Sequence, residues 1–375
     1  MTTQQIPILE DIEGLVDGDD STWGEYPIDT LLIRNESRTV HDIVRRIDKG
    51  SFVMDPDFQR DFIWPEDKQS KLIESVLMRI PIPVFYLAED EQGRLVVVDG
   101  LQRLSTFRDF VNGQLRLKLK EREDLHGKRF ADLTPKLQNR VEDCNLILYV
   151  IDTKVPERAR LDIFERVNGG VALTRQQMRN SLYMGPATRF LKNEAGTDLF
   201  LEATGGSLNT KTMRDREFVN RFCAFQLLPL DEYRDMDEFL ARALKEMNRL
   251  PEAGLEKLSG EFRTALSNSY TLFGKHAFRK HTPDQTSRSP LNASLWDVMA
   301  TGLSSVSSEW VQHNAAEFKA AFYRLLDEET FVASITYGPN HVRSVKCRFE
   351  RTKTMLSEVD PFHFLCLDLE EEDEE

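Results

Sequence analysis

Apolar residues change their spacing near residue 153 of the chain. Before it, stripes at helical spacing alternate with short extended runs; after it, the spacing is helical almost throughout. In SRTVHDIVRRIDKGSF, Val40, Ile43, Val44 and Ile47 share one helical face, and Lys49-Gly50 supplies a stop. Pro65 suits the first turn of a following helix whose stripe is Leu72, Ile73, Val76 and Leu77. Pro81 and Pro83 end that helix and force PVFYLAED into an extended run. RLVVVD, after an EQG turn, predicts a buried strand. Leu101, Leu104, Phe107 and Val111 then predict a helix of about three turns, closed by Asn112-Gly113. QLRLKLK alternates strictly, Leu115, Leu117 and Leu119 against Arg116, Lys118 and Lys120, which predicts a half-buried strand with a cationic outer face. NLILYVID, residues 145–152, supplies a last strand.

Beyond Pro156, Leu161, Phe164 and Val167 stripe a helix that stops at Asn168-Gly169-Gly170. The next helix opens on Thr174, with Gln177 three positions on as a capping box. Six further segments between residues 216 and 356 have helical spacing with short polar joints. The expected fold class is α+β. A small mixed α/β domain over residues 35–153 precedes an all-α helical domain over 154–367, with a mobile leader at 1–34 and an acidic disordered tail at 368–375.

Composition narrows the classes. A chain of 375 residues, 40% hydrophobic, can bury a sizeable core in two or three units. No run approaches the 18 apolar residues of a membrane span, and MTTQQIPILEDIEG lacks the charged-then-apolar layout of a signal peptide. The expectation is a cytoplasmic protein without membrane contact. Cys144, Cys223, Cys347 and Cys366 lie far apart, with no CxxC pair and no His at ligand spacing, which argues for buried thiols rather than a disulfide framework or zinc site. The net charge of −14 argues against nucleic acid until its distribution is considered. The last eight residues hold seven of the acids, whereas residues 103–129 hold eight Lys or Arg against four acids. Such a basic segment suits a phosphate-bearing partner.

Candidate chemistry gathers at a few places. VVVDGLQRLSTFRDF turns from strand to helix at Asp99-Gly100. A helix N-terminus offers N–H groups, Gly100 lets a ligand approach the backbone, and Arg103 can fork phosphate oxygens. Asp99 suits an anion only as a helix cap, as partner of a ribose or base, or through a shared Mg²⁺. The same residues also make an ordinary capped turn with a surface Arg. In DFQRDFIWP, Gln59 and Arg60 lie among Phe58, Phe62 and Trp64, either as a base-stacking cluster or as an aromatic plug with solvated neighbours. In ERVNGGVALTRQQ, Asn168 is a polar closure beside the next helix or part of a plain turn. Arg116, Lys118 and Lys120 fit a nucleic-acid backbone or a solvated face. No GxxxxGKS/T, HExxH or GxSxG signature occurs, and no GxGxxG precedes a helix. The seven histidines do not cluster, and His341 in GPNHVRSVKC fits a capping or surface role.

Taken in order, FQRDFIWPEDKQSKLIESVLMRIPIPVFYL, VVVDGLQRLSTFRDF and FERVNGGVALTRQQMRNSLY resemble the N-terminal domain of GmrSD-type restriction enzymes. That family is a branch of the ParB/sulfiredoxin-like fold, and the resemblance runs over about residues 35–230. Its hallmark is Asp-Gly-Gln-Gln-Arg, associated with nucleotide binding and hydrolysis in phage-defence proteins. Here it runs Asp99-Gly100-Leu101-Gln102-Arg103. The resemblance implies an NTP with Mg²⁺ as ligand, Arg103 at the phosphates and Asp99 at the metal, these two being the catalytic pair of any hydrolysis. It also implies that Asp99, Gly100 and Gln102 line the pocket, that Gln59 and Arg60 contribute from the earlier segment, and that Asn168 closes it. Leu101 replaces the first Gln, and helix phase puts it in the apolar stripe, which bears on hydrolysis more than on binding. The HNH nuclease domain of many relatives has no sequence counterpart in the helical half, which implies a partner protein for cleavage. A sulfiredoxin-type thiol is missing as well, since no cysteine lies within 40 residues of Arg103. Two other classes stay open: a non-enzymatic module clamping DNA through Arg116, Lys118 and Lys120, and a metal-dependent nuclease of the ParB-like class.

Overall fold

The computed structural model describes residues 12–13, 32–54, 64–167 and 173–360. They fall into two units, one of Trp23–Met184, the other of Met1–Thr22 with Gly185–Glu375. In the first unit the order is β1 (Ile33–Thr39), α1 (Val40–Asp48), β2 (Phe52–Val53), α2 (Glu66–Leu77), β3 (Phe85–Glu89), β4 (Leu95–Asp99), α3 (Leu101–Val111), α4 (Pro135–Glu142), β5 (Asn145–Ile151), α5 (Glu157–Val167) and α6 (Arg175–Leu182). The five strands form one mixed sheet in the order β1-β5-β3-β4-β2. β3 is its centre, antiparallel to β4 and parallel to β5.

Alternation along the strands builds two buried layers. Phe85, Leu87, Leu95, Val97, Leu148 and Val150 join the apolar stripes of α1, α2 and α3 in one core. Ala88, Val96, Val98 and Ile151 are buried outside that core, and α5 and α6 pack against β4. Helices α1, α2, α3, α5 and α6 and strands β3, β4 and β5 stand where the hydrophobic pattern predicts them.

Three elements depart from that pattern. β1 has no apolar alternation and is held through its backbone, pairing with β5 from Ile33↔Ile151 to Thr39↔Asn145. α4 fully buries only Val141, too little to leave a stripe. QLRLKLK is not a strand, although Leu115, Leu117 and Leu119 are buried and Arg116, Lys118 and Lys120 exposed. Its backbone is satisfied elsewhere: Leu117 bonds to Lys128 and Gly127, the Lys118 N–H donates to Ser70 Oγ at 2.7 Å, and the Leu119 N–H to His126 Nδ1 at 3.1 Å. Alternation decides which side chains are buried, not which backbone pairs with which.

At the start of α1, Thr39 Oγ1 accepts the Asp42 N–H at 3.2 Å. The Asp42 carboxylate in turn accepts from Arg45 at 2.7 Å and from Arg38 and Arg46 at 3.0 Å, which holds its pKa down to about 2. A depressed native pKa contributes stability that is complete above the ordinary carboxylate range and lost as the pH falls through the native value. Urea midpoints of the wild type should therefore fall between about pH 4 and pH 2 by more than those of Asp42→Asn, which lacks this component.

The second unit contains α7 (Pro186–Ala195), α8 (Asp198–Thr204), α9 (Arg214–Leu227), α10 (Met236–Arg249), α11 (Glu252–Phe273), α12 (Ala293–Ser304), α13 (Ser308–Asp327), α14 (Glu329–Thr336) and α15 (Val342–Val359). Trp296 on α12 is fully buried among Phe200, Phe218, Phe262 and Phe278 and donates its indole N–H to Phe218 O at 2.8 Å. Glu13 belongs to this unit too, through a backbone bridge to Asn292. Of the thiols expected to be buried, Cys223 is; Cys144 and Cys347 are only half-buried, and Cys366 lies outside the described residues.

Candidate functional site

β4 ends at Asp99, and the chain turns into α3 through Gly100 at φ +101°. That conformation is one only glycine adopts without strain. Space imposes the same choice, because a Cβ on Gly100 would lie 2.3 Å from Phe85 Cδ1. No side chain caps α3, so Asp99 does not have the capping role open to it from sequence. Its Oδ2 instead accepts from Arg103 Nη2 at 2.6 Å.

Arg103 is the most constrained residue of the corner. Nη1 donates to Pro83 O at 2.5 Å, Nη2 to Val84 O at 3.2 Å, and the guanidinium lies 4.3 Å over the Phe85 ring. Its side chain is 12% exposed; burial pushes its pKa down, against the pull of Asp99. The buried cation is thus compensated by a carboxylate, two carbonyls and a π face. Asp99 is 35% exposed, and its Oδ1 has no hydrogen-bond partner among the described residues. Leu101 is buried in the core, as its helix phase predicts.

The other two motifs reach the corner through their flanks. Gln102 Oε1 accepts the Trp64 N–H at 3.0 Å, and Gln69 Nε2 donates to Trp64 O at 2.9 Å. Gln102 therefore ties α3 to the end of DFQRDFIWP, whose Gln59 and Arg60 lie outside the described residues. Asn168 also lies outside them, but the helices on either side of it, α5 and α6, both pack against β4. Arg175 bridges α6 to Asp162 of α5 at 2.8 Å, and Arg160 donates from α5 to Glu89 O of β3 at 2.9 Å. The capping box forms as predicted: Thr174 Oγ1 accepts from the Gln177 N–H at 3.3 Å and Gln177 Oε1 from the Thr174 N–H at 2.8 Å.

Residues 40–184 match the family described as GmrSD restriction endonuclease, N-terminal domain. They carry a GmrSD N-terminal domain. The matched span begins with α1 and ends at Met184, where the first unit ends. It points to a component of a phage-defence restriction system. No curated protein matches the chain.

Within the GmrSD N-terminal domain, α6 adds residues that the sequence pattern did not single out. Gln176, Arg179 and Asn180 are buried and bonded to one another, Arg179 Nε to Gln176 Oε1 at 3.0 Å and Gln176 Nε2 to Asn180 Oδ1 at 2.9 Å. Their signal was a polar i, i+3, i+4 set in a helix with too few apolar residues to explain its burial. On the cationic segment, Arg116 donates to Gly127 O at 2.9 Å, while the Lys118 and Lys120 ammonium groups have no partner among the described residues. Among the described residues, no group of three or more His, Cys, Asp or Glu could hold a metal ion, and no helix is long and apolar enough to cross a membrane.

Proposed function

We propose that the GmrSD N-terminal domain binds a nucleoside triphosphate with Mg²⁺ at residues 99–103, and that the bound state controls DNA or partner-protein contacts in a cytoplasmic restriction system. The observation that carries this reading is the corner itself. An α3 N-terminus without a side-chain cap sits beside a glycine that no larger residue can replace and a carboxylate with one oxygen open. Such an N-terminus favours phosphate, and Mg²⁺ is commonly held by one or two carboxylates plus phosphate oxygens. Asp99 would hold the ion, and the metal would offset the charge between phosphates and carboxylate.

Arg103 then acts mainly by fixing Asp99, since both terminal nitrogens already donate within the protein. Gln102, with Gln59, Arg60 and Asn168, would complete the pocket of a ParB/sulfiredoxin-like fold. With Leu101 in the core, binding is favoured over hydrolysis, and a nuclease partner would do the cutting. Calorimetric titration with each NTP and Mg²⁺ tests the reading. Wild type should bind at least one NTP, and Arg103→Ala and Asp99→Asn should each weaken it by about tenfold or more. Absence of binding by wild type overturns the reading.

The open ammonium groups of Lys118 and Lys120 favour a second reading, a DNA clamp with Arg116. It requires a steeply salt-dependent DNA affinity that is lost when all three charges are reversed and kept in Arg103→Ala.

A further inference from the structure

Helices α1, α2 and α3 each end in a left-handed turn. α1 and α3 use glycine for it, Gly50 at φ +74° and Gly113 at φ +73°. α2 uses Arg79 at φ +60°. Its turn is formed in full, the Arg79 N–H donating to Val76 O and the Ile80 N–H to Ser75 O, both at 2.9 Å. Glycine adopts this backbone freely, whereas an arginine is strained in it. No contact among the described residues offsets that strain: the Arg79 side chain is exposed and makes neither a hydrogen bond nor an ion pair with them.

Arg79 lines a cleft of about 470 Å³ between the end of α2 and α4, two helices that pack together. The apolar lining is aliphatic: Val76, Ile80, Pro81 and Ile82. Across from it stand Lys136, Asn139, Arg140 and Asp143, which share one face of α4. Arg140 Nη1 donates to Leu77 O at 2.8 Å, which fixes this guanidinium at the end of α2. Lys136 has no partner among the described residues, and Asp143, the one acid of the lining, forms no ion pair with these cations. Three cations against one acid leave the rim positive. Ile80 is 47% exposed, and Met78, beside Arg79, is 56% exposed. A DNA backbone offers nothing apolar to cover such groups, and single strands are held on aromatic side chains, which the lining lacks. An apolar centre within a charged rim is the anatomy of a protein contact. We propose that this cleft docks a partner protein through an acidic segment with an apolar anchor, the anchor on Ile80 and Ile82 and the flanking carboxylates on Arg79, Lys136 and Arg140. The proposal is independent of the nucleotide reading. The lining run does continue into Pro83 and Val84, whose carbonyls hold Arg103, so a docked segment would lie close to the corner.

The test uses the full chain and fluorescence anisotropy with three labelled probes. The first is a peptide with two leucines between runs of three glutamates, the second the same peptide with serines for the leucines, and the third a short DNA duplex. Wild type should bind the leucine peptide about tenfold more tightly than the serine peptide, and more weakly as salt rises. Arg79→Gly and Lys136→Glu should each weaken the leucine peptide by about tenfold. Arg79→Gly should also keep a urea midpoint at or above that of wild type, because glycine relieves the left-handed backbone, so its loss of binding is not a loss of folding. If its midpoint falls instead, Lys136→Glu, at an exposed position without a partner among the described residues, stands as the readout. Bound peptide should slow alkylation of Cys144, which lines the cleft, and leave that of Cys347 unchanged, as read by mass spectrometry. No binding by wild type, equal affinity for the serine peptide, unaltered affinity in the variants or an unprotected Cys144 overturns the proposal. DNA binding that is lost in Arg79→Gly, without binding of the leucine peptide, overturns it in favour of a nucleic-acid site.

Discussion

Asp297→Asn should lower the unfolding free energy by about 3–5 kcal/mol, the largest loss expected from any single change of charge in the second unit. Asp297 is fully buried on α12 and serves two buried cations. Its Oδ1 accepts from Arg221 Nε of α9 at 2.8 Å, and its Oδ2 from Arg221 Nη2 at 2.6 Å and Arg348 Nη2 of α15 at 2.7 Å. Burial lowers the Arg348 pKa against the attraction of Asp297, and Arg348 also donates to Pro339 O. One carboxylate thus compensates two guanidinium groups and joins three helices. Neutralising it leaves both cations in a low-dielectric interior, which costs far more than an exposed pair contributes. Denaturant unfolding followed by circular dichroism measures the difference. Arg324→Ala, which removes an exposed pair with Glu358, is the control and should change stability by less than about 1 kcal/mol. A loss for Asp297→Asn no larger than that of the control would refute the compensation account.

Gly100→Ala should cost about 2–4 kcal/mol and abolish nucleotide binding. The backbone at φ +101° excludes a Cβ on conformational grounds. The 2.3 Å approach to Phe85 Cδ1 adds a clash with a ring that is itself fully buried and carries the Arg103 guanidinium on its face. Relief requires moving Phe85, and with it Arg103 and Asp99, so stability and binding should fall together. Gly113→Ala is the comparison: φ is also positive there, at +73°, but a Cβ meets nothing within 4 Å. It should cost about 1 kcal/mol and leave binding intact. Equal effects of the two substitutions would mean that backbone strain, not the Phe85 contact, sets the cost.

These two sites differ in how much of them could be read from the chain. Asp99, Gly100, Gln102 and Arg103 were legible because a β-branched run, a turn dipeptide and an apolar stripe follow one another in 15 residues. Which atom each polar group would meet was not legible. Pro83 O and Val84 O lie 20 and 19 residues from Arg103, and Trp64 lies 38 from Gln102. The Arg221–Asp297–Arg348 cluster spans 76 and 51 residues and left no local signal at all. QLRLKLK shows the opposite limit, a clear period-2 signal with no sheet partner.

Local pattern alone was enough to set the order of most helices and strands, the face each one buries, and the glycine at the corner, because these depend on residues within a turn or two of one another. Tertiary structure alone decided that Asp99 grips Arg103 instead of capping α3, that Gln102 holds the Trp64 backbone, and that three helices share one buried carboxylate. Those outcomes depend on strand register and on the desolvation of charges brought together from distant parts of the chain, and neither quantity has a local signature.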